Sequence, residues 1–486
     1  MRLYNKSMAA GAVVWLLVAS VLAAGADVQL IEAIKDHDHE TVRAMLEQKV
    51  DVNAREGDGA TALHWAVERD DVRTIEALLR AGADATAAND YGVTPISLAC
   101  TNRNATAVTK LLIAGADPNA ATSMGETALM TCARTSSADA LAALFDHGAS
   151  NVNAREKSHG QTALMWAATQ EDSDVLRLLL EHGADVRARS TSHLLPSWLG
   201  TGNSFETSVM LPHRGSTPLL FAARHGRIDS ARLLLDAGAD VNEEAPNGES
   251  ALVMASFSGQ GKFAAFLLEH GANPNAAAAG YTALHTAVSR GDLELVKALC
   301  AHGADPNSRI TRGSRQQRNL NWYALSGSLA GATPFWLAAK YTEVNIMRFL
   351  AAAGADPLLS PENGMPPLLA AAGAGWNTQR MDRRDQGIGV DAARRLLEAG
   401  ERPTREGTKL ALELGNDVNA IDPEGNTALH TAVRLAYSSV VDLLVKHGGK
   451  LDFENNDGRS PLDLMCVDAA GTLVRRSSGS CPDSAR

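Results

Sequence analysis

One phrase recurs along this chain at intervals of about 33 residues, and nothing else restricts its fold as strongly. It is plainest at Thr282-Ala283-Leu284-His285, followed by Val296 and Leu299 and then by Gly303-Ala304-Asp305-Pro306-Asn307. The same wording stands at Thr61-Ala62-Leu63-His64 with Gly82-Ala83-Asp84, and at Thr427-Ala428-Leu429-His430 just after Asp417-Val418-Asn419-Ala420. A unit of that size cannot bury its own apolar face, so a core forms only where neighbouring units stack. The 486 residues would otherwise suggest several domains, but the repeat overrides that expectation.

Each word of the phrase has a physical task. The opening Thr is a good helix N-cap, and Pro95, Pro218 and Pro334 follow it where a missing N–H costs nothing. Leu and an Ala pair, such as Ala338-Ala339, give a short first helix with a small face that allows close approach. The Val-x-x-Leu-Leu spacing of three and four predicts a second helix. Gly in the following Gly-Ala-Asp supplies a left-handed C-cap, and Asp-x-Asn begins a tight turn into the next unit.

Full units open at Thr61, Thr94, Thr127, Thr162, Thr217, Ser250, Thr282, Thr333 and Thr427, with a degenerate one at Pro366. Half-units cover 27–56 and begin again at Ser460. Over residues 27–470 this resembles the ankyrin-repeat family. The resemblance implies an all-α ankyrin-repeat solenoid of about ten helix–turn–helix units. Hairpin turns would form one rim and the first helices a concave face, and protein binding would use both.

Three insertions interrupt the pattern. They run over 191–213, 311–331 and about 375–389. The first holds Leu194, Leu195, Trp198, Phe205 and Met210. The second holds Arg312, Arg315, Arg318, Trp322 and Tyr323, and the third Trp376, Arg380, Arg383 and Arg384. The first two replace hairpin turns, while the third separates the two helices of its unit. Insertions into such arrays map to loops, often on the binding side, and exposed Trp and Arg dominate interface energetics. The bland alternative is that each loop folds back onto its own repeat. A second candidate is a row of basic residues after the Ala pair: Arg69, Arg134, Arg224, Arg290, Lys340 and Arg434. Such a row suits an acidic partner.

The ends differ from the array. Arg2 and Lys6 precede an apolar run from Met8 to Ala24, and Ala24-Gly25-Ala26 fits a signal-peptidase site, so residues 1–26 are expected to leave and Asp27 to begin the mature chain. An uncleaved N-terminal anchor is the alternative. No later run is long enough to span a bilayer. Residues 471–486, rich in Ser, Arg and Gly, are expected to be disordered. The net charge of −11 argues against nucleic acid, which needs a basic footprint.

Of the five cysteines, Cys100, Cys132 and Cys300 read as small buried apolar residues, and Cys466 and Cys481 are free to pair. The histidines read as structural: His64, His285 and His430 as partners of the hairpin turn, and His147, His182, His270, His302 and His447 as second-helix ends. Asp36-His37-Asp38-His39-Glu40 reads as a turn rather than a metal site. Ser258-Gly259-Gln260-Gly261-Lys262 lacks the first Gly and the closing Ser or Thr of a phosphate loop. No nucleophile elbow or His-Glu-x-x-His is present, and the repeats leave no room for a catalytic domain.

The expectation is therefore a non-enzymatic, cofactor-free scaffold, exported to the periplasm or beyond. It would bind an unidentified protein, acidic in character, through Trp198, Phe205, Trp322, Tyr323, Trp376, Arg69, Arg224 and Arg290. The rival reading is a cell-envelope protein that binds glycan or a small ligand. The short leader and Ala-rich composition suggest a bacterial source.

Overall fold

A computed structural model describes residues 29–198, 208–312, 325, 329–373 and 402–465. Antiparallel helix pairs recur along it, each pair followed by a turn. First helices include Ala62–Glu68, Pro95–Thr101, Ala128–Arg134 and Ala283–Arg290, and their second helices Val72–Arg80, Ala105–Ile113, Ala138–Asp146 and Leu293–Ala301. The ankyrin-repeat helical fold is thus the one observed. Contacts divide the chain into two compact units. One comprises 1–191 with 217–221 and 229–239, the other 192–216, 222–228 and 240–486.

Capping explains where the helices begin. At Thr61, Thr94, Thr282, Thr427 and Ser460 the cap and the third helical residue bond reciprocally. In three of these the third residue is histidine. His285 Nδ1 accepts from the Thr282 N–H at 3.1 Å, which leaves Nε2 to donate to Ser308 and Ala332 carbonyls at 3.1 and 3.3 Å. His64 and His430 reach the carbonyls of Val93 and Arg459 in the same way, both at 3.0 Å. The five second-helix histidines each place Nδ1 2.8–2.9 Å from the carbonyl four residues back, from Ala143 for His147 to Leu443 for His447.

The asparagine of each Asp-x-Asn turn ties consecutive repeats. Asn275 donates to the Gly303 carbonyl at 2.8 Å and accepts from the Asp305 N–H at 2.7 Å. Asn53, Asn153 and Asn242 repeat the arrangement one unit on. Gly303 sits at φ 87°, the left-handed value that presents its carbonyl to this amide. Asn307 makes the same two bonds to Gly354 and Asp356, 47 and 49 residues along. The second insertion therefore leaves the repeat register intact. Its base is closed by Ile310 N–H to Ala332 and Gly331 N–H to Ile310.

The core consists of alanines and leucines that lose almost all exposure, such as Ala66, Leu78, Ala99, Leu111, Ala287 and Leu299. Two features were not expected. Cys100 and Cys132, read from sequence as separate buried side chains, form a disulfide with Cα atoms 4.8 Å apart. They belong to neighbouring first helices, six residues after Thr94 and five after Thr127, so a one-residue offset brings them face to face. The first insertion is also not a plain loop. Strands β1 (Ser192–Trp198) and β2 (Ser208–Arg214) pair antiparallel, with Leu194 opposite Pro212 and Pro196 opposite Met210. This two-stranded ribbon is an addition to the otherwise helical fold.

Candidate protein-binding surface

The basic residues after the Ala pair do not share one register. Arg134, Arg224, Lys340 and Arg434 lie seven residues after their opening Thr, whereas Arg69 and Arg290 lie eight after theirs. One residue is about 100° around a helix, so the six do not form a single row. Their environments differ too. Arg69 is exposed and caps its helix. Arg224 is exposed, with its guanidinium 3.9 Å from the sulfur of Met254. Arg290 is half-buried and donates to the Phe257 carbonyl of the preceding repeat at 3.1 Å. Asn102 and Thr135 occupy the same position as Arg290 and likewise donate to the preceding first helix, at Val67 and Cys100. Arg290 thus has a repeat-to-repeat bonding role. Arg134 pairs with Glu126 at 2.9 Å and lies 5.9 Å over the Trp166 ring.

Of the aromatic candidates, Trp198 closes β1, opposite Ser208. Phe205, Trp322, Tyr323 and Trp376 lie outside the described residues, as do Arg315, Arg318, Arg380, Arg383 and Arg384. Outside them too are residues 1–26 and 471–486, with Cys466 and Cys481. Arg312 is described, and its guanidinium donates to the carbonyls of Asn247, Ala278 and Ala279. It fastens the start of the second insertion to the turn beneath.

Sequence reasoning passed over Trp65 and Trp166, which occupy equivalent half-buried positions, four residues after Thr61 and Thr162. Trp65 Nε1 donates to Glu56 at 2.5 Å, and the Lys35 ammonium lies 4.4 Å over its ring. The Trp166 Nε1 is buried without a hydrogen-bond partner. The Thr-Ala-Leu-x-Trp spacing was the available signal for both.

The hairpin turns of the first unit form a continuous backbone ladder. Asp90 N–H donates to Asp58, Ser123 to Tyr91, Lys157 to Met124 and Thr191 to His159, at 2.9, 2.9, 2.8 and 2.6 Å. The tips on this ladder include two exposed apolar side chains, Tyr91 and Met124, at 66% and 51% exposure. Beyond them stand exposed Arg155, Lys157, Arg187 and Arg189. Arg155 donates to the Arg189 carbonyl, and Lys157 Nζ to that of Ser123 at 2.9 Å. Glu156 lies beneath them, buried, its carboxylate accepting N–H bonds from Ser158, His159 and Gln161. Burial pushes its pKa up, but those donors outweigh burial and the net shift is downward.

Among the described residues no cluster of His, Cys, Asp or Glu could hold a metal ion, and no helix is long and apolar enough to cross a membrane. Asp38 caps the helix His39–Glu47, and His37 occupies the left-handed turn before it. Ser258 to Gln260 link two helices, Ala251–Phe257 and Gly261–Glu269. Cys300 is half-buried, and burial raises its thiol pKa.

The family model described as ankyrin repeats (3 copies) matches residues 30–122, 97–190, 219–310 and 386–475, which is more than half of the chain. Ankyrin repeat and SOCS box protein 16 of Homo sapiens is 31% identical over 257 residues, 52% of this chain and 48% of that protein. B-cell lymphoma 3 protein homolog of Mus musculus is 31% identical over 155 residues, 31% of each chain. Neurogenic locus notch homolog protein 1 of Danio rerio is 31% identical over 234 residues, 46% of this chain and 8% of that protein. The chain thus spans less than half the length of each. Among solved structures, the ankyrin repeat domain of Bcl-3 is 29% identical, with a TM-score of 0.39, over 50% of this chain and 99% of that one.

Proposed function

Because this chain belongs to the ankyrin-repeat family, whose repeats serve protein–protein interaction, we infer that it is an exported scaffold docking a protein through its first-helix face and its insertion loops. The carrying observation is the Asn307 bridge to Gly354 and Asp356. The array keeps its register across the insertion, and although Arg312, Leu325 and Leu329 tie parts of it to the repeats, we assign its remaining side chains to recognition. The ribbon at 192–214 likewise stands where a neighbouring repeat has only a short turn. A preformed stack loses little entropy on docking, and Trp198, Phe205, Trp322, Tyr323 and Trp376 would be the anchors on the insertions, with Arg69 and Arg224 as contacts on first helices. Export is supported by the N-terminal leader pattern and by the Cys100–Cys132 disulfide, a bond that persists in oxidising compartments.

The test is affinity capture from envelope extract with residues 27–486, beside a variant carrying Trp198→Ala, Trp322→Ala and Trp376→Ala with an unchanged melting temperature. A protein held by the native chain and lost by the variant supports the reading. Equal capture by both moves the site off the insertions. Capture of no protein by either turns the reading toward a glycan or small ligand.

A further inference from the structure

We propose that the hairpin edge of the first unit, from Tyr91 to Arg189, is a docking strip for an acidic protein segment carrying an apolar anchor. This rests on the reading of the chain as a protein-binding scaffold, but places a contact on neither the insertions nor the first-helix face.

Three observations carry it. The backbone ladder through Tyr91, Met124 and His159 fixes four consecutive hairpins relative to one another, so their tips are presented without an ordering cost. Tyr91 and Met124 project from successive rungs at 66% and 51% exposure, although large apolar side chains in the rest of the first unit are mostly covered. Charge then changes sign along the strip. Asp58 and Asp90 precede the apolar pair, and Arg155, Lys157, Arg187 and Arg189 follow it, in a chain whose net charge is −11.

The two hairpins at the cationic end, 153–161 and 185–191, carry four cations against two anions, Glu156 and Asp185, and so keep a positive balance. Glu156 is turned inward onto three backbone N–H groups. Asp185 accepts from the Arg187 N–H at 2.8 Å, and Glu126 pairs with Arg134. The bonds from Arg155 and Lys157 to carbonyls hold these side chains in place without neutralising them. A segment would therefore lie with its apolar residue on Tyr91 and Met124 and its carboxylates over the cationic end. The acidic hairpins at the other end oppose the reverse orientation.

The probe is a synthetic peptide of about a dozen residues, a Trp-Leu pair followed by a run of glutamates, titrated against residues 27–486 by fluorescence anisotropy. Its control replaces every glutamate by lysine. Expected are binding of the acidic peptide only, and a loss of roughly tenfold in affinity with Lys157→Glu plus Arg187→Glu. A similar loss is expected between about 0.05 and 0.5 M NaCl. Tyr91→Ala plus Met124→Ala should weaken binding with little change in salt dependence. All four positions are exposed, and circular dichroism checks the fold. No binding, equal binding of both peptides, indifference to the charge reversals, or equal binding of a DNA duplex of matched charge would each overturn the proposal. A partner captured from extract that survives these variants but is lost with the three tryptophans would sink this strip and leave the scaffold reading standing.

Discussion

Trp336 donates its indole N–H to the carbonyl of Met365 at 2.9 Å, the bond that a histidine makes in three other repeats. Trp336 stands three residues after Thr333, as His285 does after Thr282. Its acceptor immediately precedes Pro366, as Ala332 precedes Thr333. Two chemically different rings thus carry one link from first helix to next hairpin, and only one of them titrates.

Acid sensitivity should follow the histidines. Burial lowers the pKa of His285 to about 4, against backbone carbonyls that raise it. His64 and His430 are lowered for the same leading reason. The unfolded chain then binds protons that the folded chain does not. Stability should be fully present above about pH 6.5 and fall as pH drops toward 4, by about 3 kcal/mol for His285 alone. Urea midpoints at pH 7.5 and 5 measure it. His285→Gln should flatten the dependence, and Trp336→His should steepen it.

Asn307→Ala should cost about 1–2 kcal/mol, since it removes both bonds that hold the register across the second insertion. Chemical denaturation reads the loss. A cost below a few tenths of a kcal/mol would mean that Ile310, Gly331 and Ala332 hold that register unaided.

Reducing the Cys100–Cys132 bond should destabilise the first unit by about 4 kcal/mol, the chain-entropy value for a bridge spanning 32 residues. Cys100→Ser plus Cys132→Ser should be as unstable as the reduced protein and insensitive to reductant. Non-reduced peptide mapping would show the bridged pair, and free thiols at both positions in protein purified without reductant would contradict it.

Arg290→Ala and Arg69→Ala should behave differently. Arg290 bonds the preceding repeat, so its loss should lower stability by about 1 kcal/mol. Arg69 is exposed at a helix cap, and its loss should stay within about 0.5 kcal/mol. A partner contact at Arg69 would then show in affinity without a shift in melting temperature.

What could be read in advance was whatever local chemistry dictates. The Thr caps, the two histidine roles, the left-handed Gly303 and the Asp-x-Asn turn each depend on neighbours a few residues away. The Cys100–Cys132 pair was illegible because it depends on how two helices are offset in space, and aligning the repeats puts the cysteines one position apart. The split of Arg69 and Arg290 from Arg134, Arg224, Lys340 and Arg434 was hidden by the same single-residue step. Trp336 was legible only as core, since nothing in Pro-Phe-Trp-Leu announces a donor standing where histidine stands elsewhere. Trp65 and Trp166 keep the repeat spacing, four residues after Thr61 and Thr162, so nothing in their position sets them apart from the core as the insertion tryptophans are set apart.

The two prolines of the ribbon have a consequence for how its edges behave. Proline has no N–H, so Pro196 and Pro212 fit only pairs whose amides point away from the partner strand. Each strand therefore lacks one of the donors that a third strand would need. The two gaps fall on opposite edges, so neither side is a ready template for strand addition. A two-stranded ribbon is ordinarily a polymerisation hazard, and here one proline on each flank interrupts the row of donors that a further chain would have to match.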